Sequence, residues 1–135
     1  MRRALVALLL TAPLPALAQG GDVELRIQYT RALQACLDKA GGVTAGMVDC
    51  YQREFAVWDA RLNRAYQTIM ASAAVAPAAK EQLRDAQRSW IAFRDRGCGA
   101  EAEVEAGGGS MRLVSTAACV LERTALRAHQ LELLQ

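Results

Sequence analysis

The sequence predicts an all-α fold: a small antiparallel bundle of about four helices, tied by two interhelical disulfides. Three observations carry this. Apolar side chains recur every three or four residues, with no sustained alternation. Two glycine-rich stretches, "AGGVTAG" at 40–46 and "GGGS" at 107–110, together with Pro77, cut the chain into helix-length pieces. Four cysteines, Cys36, Cys50, Cys98 and Cys119, bracket the two glycine stretches at matched distances.

The first expected helix, residues 22–39, presents Val23, Ile27, Thr30, Leu33 and Leu37 inward. The second, 45–74, is expected to start from Thr44 as N-cap. It carries Tyr51, Phe55, Trp58, Leu62, Ala65 and Ile69 at alternating steps of four and three. Pro77 suits the first turn of a third helix, 77–104, with Leu83, Ala86, Trp90, Phe93 and Gly97 as its inward stripe. Ser110 is the expected cap of a fourth, 111–133, with Ala117, Val120, Thr124, Ala128, Leu131 and Leu134 inward. Short connections between long helices favour antiparallel neighbours.

Residues 1–18 read as a secretory signal peptide. Arg2 and Arg3 open it, Ala4–Ala12 is apolar apart from Thr11, Pro13 and Pro15 follow, and Ala16-Leu17-Ala18 offers small residues before a cut. The apolar run is well short of the roughly 20 residues that a spanning helix needs. The expected product is one helical domain, 19–135, periplasmic or secreted, without a stable membrane anchor. Losing Arg2 and Arg3 leaves 14 basic against 14 acidic side chains. That balance lacks the basic excess of a nucleic-acid binder.

In an exported chain an even cysteine count reads as a disulfide framework. Four cysteines allow three pairings, and helix geometry chooses among them. Cys36 and Cys50 stand about seven residues either side of the first glycine turn, and Cys98 and Cys119 about ten or eleven either side of the second. Each pair falls at matched height on two antiparallel helices, so Cys36–Cys50 and Cys98–Cys119 are expected. No CxxC occurs, and His129 is the single histidine, so no metal site is expected. No cofactor or catalytic set is expected either. Glu101 and Glu103 diverge on a helix, and nothing links Ser110, Ser115 and His129 as nucleophile and base.

The stretch "SWIAFRDRGC" sets Trp90, Arg94 and Cys98 four residues apart on one helical face. Arg94 is expected to lay its stem over Trp90 and to aim at a carboxylate, with Asp59 as a candidate. Asp95, about 100° round the helix, is expected to meet Arg123 or Arg127. This reads as a polar clamp between helices, or as an exposed contact patch.

The chain resembles the N-terminal domain family named after the lysozyme inhibitor LprI. The resemblance rests on Cys36, Cys50 with Tyr51, "DARLNRAYQ" from Asp59, "AQRSWIAFRDRGC" from Ala86, the glycine–serine turn, Cys119, and "ERTALR" from Glu122. It implies a small exported helical domain with paired cysteines, and it suggests inhibition of lysozyme. Within those motifs it marks Asp59, Asn63, Tyr66 and Trp90, then Arg94, Asp95, Thr124 and Arg127, as structural-clamp residues. The namesake is lipid-anchored, whereas no cysteine follows the expected cut here, which favours a freely diffusing protein.

The function expected is therefore a protein-binding module acting on lysozyme or a related cell-wall hydrolase, not an enzyme. Ser110 and Arg112, on the projecting turn "EAGGGSMR", are the expected partner contacts, since a hydroxyl or guanidinium could reach a hydrolase's catalytic carboxylates. The acidic run Glu101, Glu103 and Glu105 could meet a basic enzyme surface. The alternative is an envelope interaction or stress protein of the same fold with a different partner. A third reading is a small-molecule pocket between helices near Trp58 and Trp90.

Overall fold

The computed structural model describes residues 27–135. Residues 1–18, read above as a signal peptide, and the start of the first expected helix with Val23, lie outside the described residues. Four helices follow in order: α1 (Arg31–Ala40), α2 (Thr44–Ala71), α3 (Pro77–Ala106) and α4 (Met111–Glu132). The described residues contain no strand, and the helices form an antiparallel bundle.

Both glycine turns are built alike. Gly41 and Gly42 after α1, and Gly107 and Gly108 after α3, take φ between +54° and +82°, which side-chain-bearing residues rarely adopt. Gly41 donates back to the carbonyl of Leu37, and Gly107 to that of Glu103. Gly46, by contrast, lies inside α2. A Cβ there would come within 3.1 Å of the Ala40 Cβ, so its bareness lets α1 end close to α2.

The helix starts differ from expectation in detail. Ile27–Thr30 precede α1 as non-helical chain, and α1 begins at Arg31. Thr44 is the first residue of α2, with Val43 in the cap position and no side-chain cap. Ser110 does hold the cap position of α4, but its backbone is already helical and its hydroxyl caps nothing. Pro77 opens α3, where its missing N–H costs no helical bond.

α4 is the centre of the bundle. It packs against both α2 and α3, while α1 packs on α2. Its buried face is Val114, Leu121, Thr124, Ala125, Ala128 and Leu131. The small residues among these let α4 approach its neighbours closely. Ala117 and Val120 are only half-buried, and Leu134 lies exposed beyond the helix. α2 buries Trp58, Leu62, Ala65 and Ile69 as its spacing predicts, with Tyr51 and Phe55 half-buried beside the core.

The inward face of α3 is turned about one residue from the expected stripe. Ala86 and Phe93 are exposed, Phe93 by 63 %. The face that meets α2 and α4 runs through Leu83, Gln87, Trp90, Arg94, Cys98 and Ala102. Polar Gln87 and Arg94 turn inward because each finds a hydrogen-bond partner on α4, and Cys98 must reach Cys119. α2 and α3 share a short connection but their backbones stay apart along nearly all their length. Phe55, Tyr66, Trp90 and Arg94 stand between them as spacers, and two grooves remain along the seam.

The cystines are Cys36–Cys50 and Cys98–Cys119, with Cα atoms 5.7 and 5.6 Å apart. That spacing lies within the range a disulfide requires. Cross-links closing loops of this size stabilise by about 3 kcal/mol each in the chain-entropy model. The contribution is large for a domain whose core is assembled mainly from alanines, leucines and one buried tryptophan.

Candidate functional site

Arg94 is the hub of the motif residues. Its side chain is only 11 % exposed. The guanidinium lies 5.2 Å from the Trp90 ring centre and 5.6 Å from that of Phe55, so it bridges the α2–α3 seam over two aromatic faces. Nη1 donates to the Thr124 hydroxyl at 3.2 Å, and that hydroxyl donates to the Val120 carbonyl at 2.7 Å. Nε and Nη2 both reach Asp95 Oδ1 at 2.8 Å.

Two expected partners are corrected here. Asp95 meets Arg94 itself rather than Arg123 or Arg127, because the long arginine stem curls round the helix to its exposed neighbour. Asp59 takes no part in that pair; its carboxylate accepts from Asn63 at 2.9 Å, one helical turn on. Arg127 instead donates to Gln87 at 2.9 Å and shares the Trp90 ring with Arg94, 5.9 Å from its centre. Burial pushes its guanidinium below the ordinary arginine value. Asp59, Asn63, Tyr66, Trp90 and Arg94 thus line one groove of about 430 Å³ between α2 and α3, with Thr124 and Arg127 behind it on α4.

Arg123 makes a second contact between α3 and α4. It runs over the exposed Phe93 ring at 4.9 Å, crosses Gly97, and ends on both oxygens of Glu101 at 2.6 and 2.7 Å. A Cβ on Gly97 would lie 2.5 Å from Arg123 Nη1, so the glycine makes the crossing possible. Glu103 pairs with Arg112 at 3.2 Å. Two members of the acidic run are therefore already neutralised within the protein.

One residue escaped the sequence reading. Glu54, on α2, is 3 % exposed. Its carboxyl accepts from the Thr30 backbone N–H at 2.8 Å, from the Thr30 hydroxyl, and from Trp58 Nε1 at 3.0 Å. No cation faces it among these partners. Tyr29 lies edge-on to Trp58, with ring centres 6.2 Å apart. Burial first, then the nearby Glu122 and Glu54 charges, push its phenol up to about 12. The available signal was the four-residue step from Glu54 to Trp58, which places both on one inward face.

Ser110 and Arg112 lie at the far end of the bundle. Ser110 is exposed, and the Arg112 side chain is about half-exposed in its pair with Glu103. Near them in sequence, Val104 is 86 % exposed, and Met111 and Leu113 are also exposed. Arg112 and Leu113 also border an open, mostly apolar groove of about 730 Å³, whose other wall includes Val48, Tyr51 and Phe55. Among the described residues no helix is long and apolar enough to cross a membrane.

Comparison with known proteins agrees with this frame. The family model described as "Lysozyme inhibitor LprI" matches residues 36–131, from the first cystine to the end of the buried face of α4. A protein of Rhizobium meliloti (strain 1021), described as "Uncharacterized protein R02472", is 33 % identical over 94 residues, covering 62 % of this chain and 67 % of that one. No solved structure matches the chain significantly. The matched span contains both cystines and every residue of the Arg94 hub, and the chain belongs to the lysozyme inhibitor LprI family.

Proposed function

We propose that this chain is an exported protein-binding module that inhibits lysozyme or a related cell-wall hydrolase. Membership of the family supports the class of activity. The reading of residues 1–18 as a signal peptide supports export, and so do two cystines, which persist in oxidising compartments. The observation that carries the choice of surface is that Val104, Met111 and Leu113, within three residues of the Gly107–Ser110 turn in sequence, are all exposed. Exposed apolar side chains beside an arginine are the residue types that a protein interface uses.

The mechanism follows from the target. Glycoside hydrolases of this kind act through two carboxyl groups set in an open cleft. A protruding turn can enter the cleft and exclude the saccharide. Arg112 then exchanges Glu103 for a catalytic carboxylate. Its exposed pair with Glu103 is worth only about 0–1 kcal/mol, so the exchange is cheap. Ser110 supplies a hydroxyl donor beside it. The near balance of charge means that attraction to a basic enzyme would be local rather than global.

The test is a Ser110→Ala, Arg112→Ala double variant in a cell-wall lysis assay. Helicity and both cystines should survive, since the Ser110 hydroxyl caps nothing and Arg112 makes only a half-exposed pair with Glu103. Inhibition should weaken at least about tenfold, the loss of one charge-assisted contact. Unchanged potency would remove the turn from the binding surface.

A further inference from the structure

The groove that holds the motif residues has a chemistry that inhibition does not use. It is bordered by Leu62, Tyr66, Trp90 and Ile91 as apolar walls, by Asn63 and Gln67 on α2, and by Arg84, Arg88 and Arg94 on α3. Its 430 Å³ lies near the low end of the roughly 300–1,000 Å³ found for small-ligand sites. It is remote in sequence and position from the Gly107–Ser110 turn.

Three observations point to an occupant. Gln87, at the base of the groove, is 7 % exposed; its Oε1 accepts from Arg127, yet its Nε2 is buried without a hydrogen-bond partner. A buried donor left unpaired is costly and rare in folded proteins. Arg84 and Arg88 stand one turn apart on one rim, a like-charged pair that repels unless an anion lies between them. The one lining carboxylate, Asp59, keeps its charge beside Asn63, and Arg94 is paired with Asp95, so the cationic character of the groove rests on its rim, at Arg84 and Arg88.

We infer that this α2–α3 groove binds an acidic saccharide, a pyranose ring carrying a carboxylate. The guanidinium forks of Arg84 and Arg88 match a carboxylate's two oxygens. Tyr66 and the part of Trp90 that borders the groove give apolar surface for the C–H face of a sugar ring. The side-chain amides of Asn63 and Gln67 suit ring hydroxyls and an acyl-amino oxygen, and a turn of the Gln87 side chain would bring its covered Nε2 to an acceptor there. The ring and amides select a sugar, and the arginine pair selects its acid group.

Three probes separate the parts: N-acetylmuramic acid, N-acetylglucosamine, which has the same ring without the lactyl carboxylate, and lactate, which has the carboxylate without the ring. Each is titrated into the oxidised, isotope-labelled protein and followed by backbone and side-chain amide shifts, with no hydrolase present. N-acetylmuramic acid should saturate, with shifts gathered at Tyr66, Gln87 and Trp90, and should bind at least about tenfold more tightly than either fragment. Arg84→Gln with Arg88→Gln, both at exposed positions, should weaken it about tenfold at unchanged helicity. Gln87→Glu keeps an acceptor for Arg127 but removes the buried donor, and it should also weaken binding. Absent saturation, equal binding of N-acetylglucosamine or lactate, shifts gathered at the Gly107–Ser110 end, or full binding by a folded Arg84/Arg88 variant would each overturn the inference.

Discussion

Glu54 and Arg94 are both ionisable side chains turned into the bundle, yet they are held in opposite ways. Glu54 is surrounded by neutral donors: a backbone N–H and a hydroxyl from Thr30, and the indole N–H of Trp58. Arg94 leans on aromatic faces, donates to Thr124, and keeps its carboxylate partner Asp95 at the surface. Glu54 fastens the chain before α1 to α2. Arg94 fastens α3 to α4 and spaces α3 from α2. The bundle is thus two polar locks, each beside its own cystine, joined through the alanine face of α4. A buried charge in this fold sets how neighbouring segments meet, which bulk burial of alanines would leave loosely determined.

The largest effect should come from removing the cystines. Cys36→Ala with Cys50→Ala, or Cys98→Ala with Cys119→Ala, should each lower unfolding stability by about 3 kcal/mol. Urea unfolding followed by circular dichroism measures this. Loss of Cys36–Cys50 should couple to Glu54 variants and leave Arg94 variants additive, with the reverse for Cys98–Cys119. Coupling across the halves would show that the two locks are one.

Glu54→Ala should cost on the order of 3 kcal/mol, because it strands the Trp58 and Thr30 donors in a buried place. Arg94→Ala should cost less, about 2 kcal/mol, since Thr124 keeps its bond to Val120 and Asp95 is already half in water. Arg94→Lys should recover only part of that, having the charge without the fork. Equal losses at the two sites would remove the asymmetry.

The smallest effect lies outside both locks. Arg61 sits 4.2 Å from the Trp58 ring centre and pairs with Glu132 through two hydrogen bonds of 3.0 and 2.8 Å. The Arg61 hydrogen bond holds the Glu132 carboxyl below its usual range, against burial, which raises it. A lowered folded value gives stability that is present above the ordinary carboxylate range and is lost as pH falls through the folded value. Glu132→Gln should therefore cost under about 1 kcal/mol at neutral pH and nothing in strong acid, because the pair is partly exposed. A constant deficit from neutral to acid pH would show that the pair is not ionic.

The helices and cystines were legible because their signals are local: apolar steps of three and four, and cysteines equidistant from glycine turns. Trp90, Arg94 and Cys98 were legible for the same reason. Apolar character alone gives the wrong register for α3. Ala86 and Phe93 are apolar and exposed, while Gln87 and Arg94 are polar and turned in, a choice made by Arg127 and Thr124 on a helix some thirty to forty residues away. Glu54 was missed because its decisive donor, Thr30, is 24 residues distant and lies before α1 rather than within it.

The most direct test of the account is a lysis titration. Oxidised mature protein is added to animal-type lysozyme on cell walls, beside a sample whose two cystines have been reduced and blocked. The account predicts inhibition that saturates near one protein per enzyme and is lost with the cystines. A helical, fully oxidised sample that leaves lysis unchanged would contradict it.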